Sequence, residues 1–172
     1  MAQIKHLFLA GAALLLLCAT QTPSAEARRL FEVNAFCRTS SHPQLCTKMV
    51  NGAKNWHDAS ANAMKAALTV AKRLQSMAPQ LNPAVANLLP VSRESIISTC
   101  VEDFDTIVSD LEESIKALDE NDKGTLLSHL SAAYNSDCED ALNEFGADFP
   151  LSKIAGYLAR EVDNCLAVVQ QI

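Results

Sequence analysis

Glycine is scarce in this chain, five residues in 172, and aromatic side chains make up only 5%. A β-sandwich draws on glycine for its turns and on aromatic and β-branched residues for its strands, so the composition points away from it. Alanine, leucine, serine and charged residues dominate instead, the material of packed helices. The sequence has no glycine-rich phosphate loop, no N-x-S/T acceptor for N-glycosylation, no low-complexity tract and no repeat of fixed period. Basic charge is also short: 14 Lys and Arg stand against 20 Asp and Glu, a formal net charge of −6. An acidic surface argues against nucleic acid and anionic membrane as partners, and it suits a basic protein.

Only one long apolar run occurs, Leu7 to Ala19. Lys5 and His6 precede it, and Ala25-Glu26-Ala27 follows as an A-x-A cleavage pattern. That order predicts a secretory signal peptide over residues 1–27. The run is shorter than the roughly 20 residues a bilayer span needs. Cleavage after Ala27 leaves residues 28–172, a single-domain length, destined for the extracellular space. The removed segment holds one Lys and one Glu, so the remainder keeps a charge of −6.

Cys18 leaves with the signal. Cys37, Cys46, Cys100, Cys138 and Cys165 remain, an odd number in a secreted chain, which implies two bridges and one thiol or an intermolecular pair. The count leaves the pairing open among fifteen arrangements. The short spacing of Cys37 and Cys46 makes them the favoured local pair.

Phe31 to Val50 reads as two short helices around the turn Thr39-Ser40-Ser41-His42-Pro43, with Pro43 suited to the first position of the second helix. Trp56, Ala59, Ala63, Ala67, Val70, Leu74 and Met77 recur at helical spacing and predict a long helix that Ala78-Pro79 ends. Pro90 breaks a short segment at Asn87 to Leu89. Ser92 then opens a helix to about Leu118, with Ile97, Cys100, Phe104, Ile107, Leu111, Ile115 and Leu118 inward and Glu102, Thr106, Ser109 and Glu113 forming a neighbouring polar stripe. After the loop Asn121 to Gly124, a helix is expected from about Thr125 to Phe145, with Leu127, Leu130, Tyr134, Cys138, Ala141 and Phe145 inward. The last helix carries Leu151, Ile154, Leu158, Val162, Cys165, Val169 and Ile172 inward. The expected fold is all-α: an antiparallel four-helix bundle over residues 55–172 behind a helical hairpin over residues 28–54. Cys100 and Cys138 would then sit at neighbouring ends of adjacent antiparallel helices, where a bridge is geometrically sensible. Cys165, on an apolar stripe, reads as a small core residue.

Catalytic chemistry finds little support. His42, His57 and His129 show no ligand spacing, and a zinc site needs three or four close ligands. Glu112 with Glu113, and Asp103 with Asp105, read most simply as a solvated helix face. Bundles that host chemistry place Glu and His inward, whereas the inward positions here are apolar or Cys. No enzyme activity, cofactor or metal is expected.

The segment Cys37-Arg38-Thr39-Ser40-Ser41-His42-Pro43-Gln44-Leu45-Cys46 resembles the opening hairpin of the plant invertase and pectin methylesterase inhibitor family. Cys100-Val101-Glu102-Asp103-Phe104 is similar to its C-x-E-x-aromatic segment, Ser131-Ala132-Ala133 followed by Cys138-Glu139-Asp140 to its third-helix pattern, and Asn164-Cys165-Leu166-Ala167-Val168-Val169 to its closing segment. The resemblance covers nearly all of residues 28–172. It implies bridges Cys37–Cys46 and Cys100–Cys138 with Cys165 free, a disulfide-clamped hairpin before the bundle, and action in the cell wall or apoplast. Members bind a carbohydrate-active enzyme and occlude its active-site cleft without catalysing a reaction. The expected partner is therefore pectin methylesterase, met by a monomer through Glu102, Thr106, Ser109, Glu113, Ser131 and Asp137. The alternatives are inhibition of cell-wall or vacuolar acid invertase, and a non-inhibitory helical interaction protein. Invertase inhibitors often carry Pro-Lys-Phe before the third helix, where this chain reads Asp122-Lys123-Gly124, and they more often lack the last cysteine. Only Tyr134 to Asp137 separate Ser131-Ala132-Ala133 from Cys138, fewer residues than the family usually has, and Asp137 stands where Thr is common.

Overall fold

The hairpin begins at a 3-10 turn, Ala35–Cys37, because the Asn34 carboxamide accepts the Phe36 amide and starts the turn. Helix α1 (Pro43–Met49) follows, with Pro43 at its first turn, where a missing N–H costs nothing. The disulfide Cys37–Cys46 clamps the two pieces. Both cysteines are fully buried. Thr47 adds a second tie: its hydroxyl accepts the Asn34 amide at 3.0 Å and donates to the Pro43 carbonyl at 2.8 Å. The structure is a computed structural model that describes residues 32–134 and 137–171. The expected signal peptide over residues 1–27 and the inward position of Ile172 lie outside the described residues.

Helix α2 (Trp56–Ser76) starts where Asn55 and Asp58 satisfy each other. The Asn55 side-chain Oδ1 accepts the Asp58 amide at 2.8 Å, while the Asn55 Nδ2 donates to the Asp58 carboxylate at 2.7 Å. Asp58 also places negative charge at the helix N-terminus, where the macrodipole favours it. A 3-10 turn, Ala78–Leu81, ends the helix around Pro79. Helix α3 (Pro90–Asp119) begins on Pro90. Ser92 lies inside the helix, so the expected start at Ser92 is corrected: proline at the first position supplies the start without a side-chain bond. Asn121 takes a left-handed φ of 57° and reverses the chain. Helix α4 (Lys123–Ala132) is capped by Asp122, which accepts the Thr125 amide at 3.0 Å and its hydroxyl at 2.6 Å. These two bonds hold the Asp122 carboxyl below its usual range.

The expected continuous helix from Thr125 to Phe145 is broken. Helix α4 stops at Ala132, and a short helix α5 (Asp137–Glu144) resumes the arm. The inward register shifts with the break. Leu126 and Leu142 are buried, whereas Tyr134 is 52% and Phe145 44% exposed. The stripe assumed one uninterrupted 3.6-residue period, and the turn at Ala133 and Tyr134 resets it. Helix α6 (Ser152–Val169) closes the fold.

Helix α2 packs on α3 and α6, α3 on α4 and α5, and α4 on α6. That closed ring of neighbours is a four-helix bundle. The order of contacts shows that neighbours run antiparallel. The Trp56 Nε1, at the start of α2, donates to the Val168 carbonyl near the end of α6 at 3.1 Å. Cys100, early in α3, is bridged to Cys138 in α5, and Asp110, later in α3, meets His129 in the earlier α4. The hairpin lies on α6 and on the start of α2 and belongs to the same compact unit, which runs from Val33 onward. Phe104, Met64, Leu74, Ile96, Leu111, Leu118, Leu130 and Val162 fill the core. Each such side chain contributes about 1.5–3 kcal/mol of transfer free energy.

Candidate functional site

Two flanks of α3 are committed to neighbouring helices. On one side the Gln75 amide donates to Asp105 at 2.8 Å, and Lys72 pairs with Glu112 at 2.7 Å, both from α2. On the other side His129 of α4 meets Asp110 at 2.7 Å, and the Cys138 amide of α5 donates to Asp103 at 3.2 Å. The strip between these flanks faces solvent. It carries Glu102, Thr106 and Ser109, all exposed, and half-buried Glu113. Their spacing of three to four residues makes one row along the outward face of the longest helix. Ser98 donates to Glu102 at 3.0 Å and Lys116 to Glu113 at 3.3 Å, so both carboxylates have local partners along the row.

Asp137 opens α5 and is exposed. The adjacent Cys138, bridged to Cys100 and bonded to Asp103, fixes it beside the first half of α3. Ser131 is exposed on α4, but its hydroxyl donates back to the Leu127 carbonyl at 2.8 Å, which leaves it an acceptor role toward a partner. The α3 row and Asp137 therefore stand on neighbouring elements. A groove of about 490 Å³ opens beyond them where the α4–α5 break faces α6, lined among others by Ile107, Tyr134, Glu139, Asp140 and Gly156.

Sequence reasoning treated Asp103 as solvated, but Asp103 is half buried and holds the start of α5 through the Cys138 amide. The Asp110–His129 pair went unseen as a pair. Its signal was present, because Asp110 stands directly before the buried Leu111 and within the inward sector of α3. A carboxylate in that position requires a partner.

Cys165 is fully buried, and burial, with the charge of Glu161 one turn away, pushes its thiol far above the usual range. Burial of this kind disfavours the thiolate that nucleophilic attack requires. His57 lies 3.8 Å from Asp119 at the surface. Among the described residues no three His, Cys, Asp or Glu side chains group as metal ligands, and no helix is long and apolar enough to cross a membrane. What the α3 row offers is hydrogen-bond acceptors and negative charge to a macromolecular surface.

Comparison with known proteins places these features. None of the curated proteins matches the sequence. Among solved structures, the chain is similar to a mutant form of a pectin methylesterase inhibitor from Arabidopsis, at a TM-score of 0.64 and 14% identity, covering 80% of this chain and 95% of that one. It is likewise similar to a pectin methylesterase inhibitor from Arabidopsis thaliana, at a TM-score of 0.58 and 14% identity, covering 78% and 91%. At that identity the likeness speaks for the fold. Residues 32–168 match the family model of the plant invertase/pectin methylesterase inhibitors, and the chain belongs to that family.

Proposed function

We propose that this chain is a secreted protein inhibitor of pectin methylesterase that acts in the plant cell wall, performs no reaction itself, and binds across the entrance of the enzyme's active-site cleft. The observation that carries the reading is the outward row Glu102, Thr106, Ser109 and Glu113, set between two flanks of α3 that are tied to neighbouring helices and continued onto α5 by Asp137. A surface fixed in advance loses little conformational entropy on docking. Its carboxylates, with Glu139 and Asp140 in the adjoining groove, complement a basic partner and speed encounter.

Cys165 and the sequence Asp122-Lys123-Gly124 favour pectin methylesterase over acid invertase as the target. The test is a paired assay at mildly acidic pH. Purified protein is added to several plant pectin methylesterases and, separately, to acid invertase hydrolysing sucrose. Loss of methylesterase activity alone is the expected result. Loss of invertase activity alone would transfer the proposal to invertase. No effect on either would leave a non-inhibitory member of the family.

A further inference from the structure

A second surface, on the other side of α2 from α3, has the opposite electrostatic character. Where the C-terminal half of α2 meets the start of α6, a groove of about 320 Å³ is lined by Val70, Arg73, Met77, Lys153, Ile154 and Tyr157. Its walls are aliphatic and aromatic, and Arg73 and Lys153 are both exposed. Arg160 joins them one turn on, its guanidinium carbon 5.7 Å from the centre of the Tyr157 ring. Lys72 nearby is committed to Glu112, but Arg73, Lys153 and Arg160 have no carboxylate partner among the described residues. The acidic groups closest in sequence are Glu161, which is buried beneath and hydrogen-bonded to Tyr157, and half-buried Asp163. In a chain with a net charge of −6, three unpaired cations around a 38% exposed tyrosine are a local reversal of sign.

The geometry points to this α2–α6 groove as a binding site for a carboxylated sugar ring, the uronate unit of an anionic polysaccharide. A pyranose has an apolar face that stacks on a tyrosine ring or an aliphatic wall, and a uronate adds one carboxylate for a cation at the rim. A purely anionic ligand needs no such apolar floor, and a neutral sugar needs no cations. The groove has the volume of a small-ligand site. The choice of polyuronate rests on the proposed reading in one respect: hydrolysis of pectin methyl esters exposes such carboxylates. The groove uses none of the α3 row, so the protein would hold the product polymer on one face while presenting the other to the enzyme.

Affinity electrophoresis of the purified full chain tests this. Gels contain unesterified polygalacturonate, fully methyl-esterified galacturonan, polyglutamate or vesicles of phosphatidylserine. We expect retardation by polygalacturonate, little by the esterified polymer, and release by added monomeric galacturonate or by salt. Arg73→Ser with Lys153→Ser should weaken binding roughly three- to tenfold, as loss of two exposed charge contacts does. Tyr157→Ala should weaken it further while leaving the charge unchanged. Equal retardation by polyglutamate or by vesicles would overturn the inference, since charge alone would then explain binding. So would parental behaviour of the double variant, with its fold verified by circular dichroism. Esterase inhibition is measured on the same variants and should be unchanged. A chain that binds polyuronate and inhibits nothing overturns only the inhibitor reading, and one that inhibits without binding overturns only this inference.

Discussion

The hydroxyl of Ser40 donates a hydrogen bond to the carboxamide oxygen of Asn164, 124 residues later in the chain. Asn164 is fully buried, and its Nδ2 lies 3.4 Å from the Met49 sulfur. Ser40 is in turn fixed by the turn it sits in, where it accepts the His42 amide at 2.9 Å. One side chain of α6 thus touches both the turn of the hairpin and the last residue of α1, and sets how the hairpin lies on the bundle.

Removing either partner should therefore loosen the hairpin. We expect Ser40→Ala to cost about 2 kcal/mol, because it removes two hydrogen bonds and leaves the buried Asn164 carbonyl unsatisfied. Asn164→Ala should cost about 2–3 kcal/mol, because it adds a cavity to the loss. Chemical denaturation of both single variants and the double variant checks this. The double variant should lose less than the sum of the singles, and strict additivity would show that the two residues do not interact.

Acidity should stabilise the bundle through Glu161. The side chain is 3% exposed, and one carboxylate oxygen is buried without a partner. Burial raises its pKa, and the hydrogen bond from Tyr157 offsets part of that rise. A carboxyl with a raised folded pKa contributes stability that is fully present below its unfolded pKa and is lost as pH climbs through the folded value. We expect Glu161→Gln to match the parent in melting temperature near about pH 4 and to exceed it near about pH 7–8. A constant difference across that range would contradict the burial effect.

The three cysteine environments should separate under chemistry. Thiol alkylation of the native protein should leave Cys165 unmodified until the bundle opens, because the group is buried and its thiolate is disfavoured. Rapid native labelling, read by mass spectrometry, would contradict its place in the core. Replacing Cys100 and Cys138 by serine opens a loop spanning 38 residues and should lower stability by about 4 kcal/mol. The shorter Cys37–Cys46 loop, with a separation of 9, should cost about 2–3 kcal/mol.

Much of this architecture can be read from local signals. Pro43 and Pro79 punctuate the chain at the places where helices start or stop, because φ restriction acts within a few residues. The long stripes of α2 and α6 gave their core faces for the same reason. The α4–α5 arm did not yield to that reading. Leu126, Leu130 and Leu142 keep their burial across a break that no Pro or Gly marks, and the Cys100 bridge and Asp103 hold the second half in its own register. Buried polar contacts were the other gap. Asp110 with His129, and Ser40 with Asn164, join residues whose proximity exists only once the helices are packed.

The inhibitor reading depends on the outward face of α3, so the direct measurement is inhibition of pectin methylesterase by the parent chain and by a Glu102→Lys, Thr106→Lys variant. Both positions are exposed, and the fold should be unaffected. We expect the parent to inhibit at least one isoform at micromolar concentration and the variant to be weaker by roughly tenfold or more, about 1.4 kcal/mol. Equal inhibition by parent and variant would show that the enzyme docks elsewhere, and a parent inactive against every isoform would contradict the proposed function.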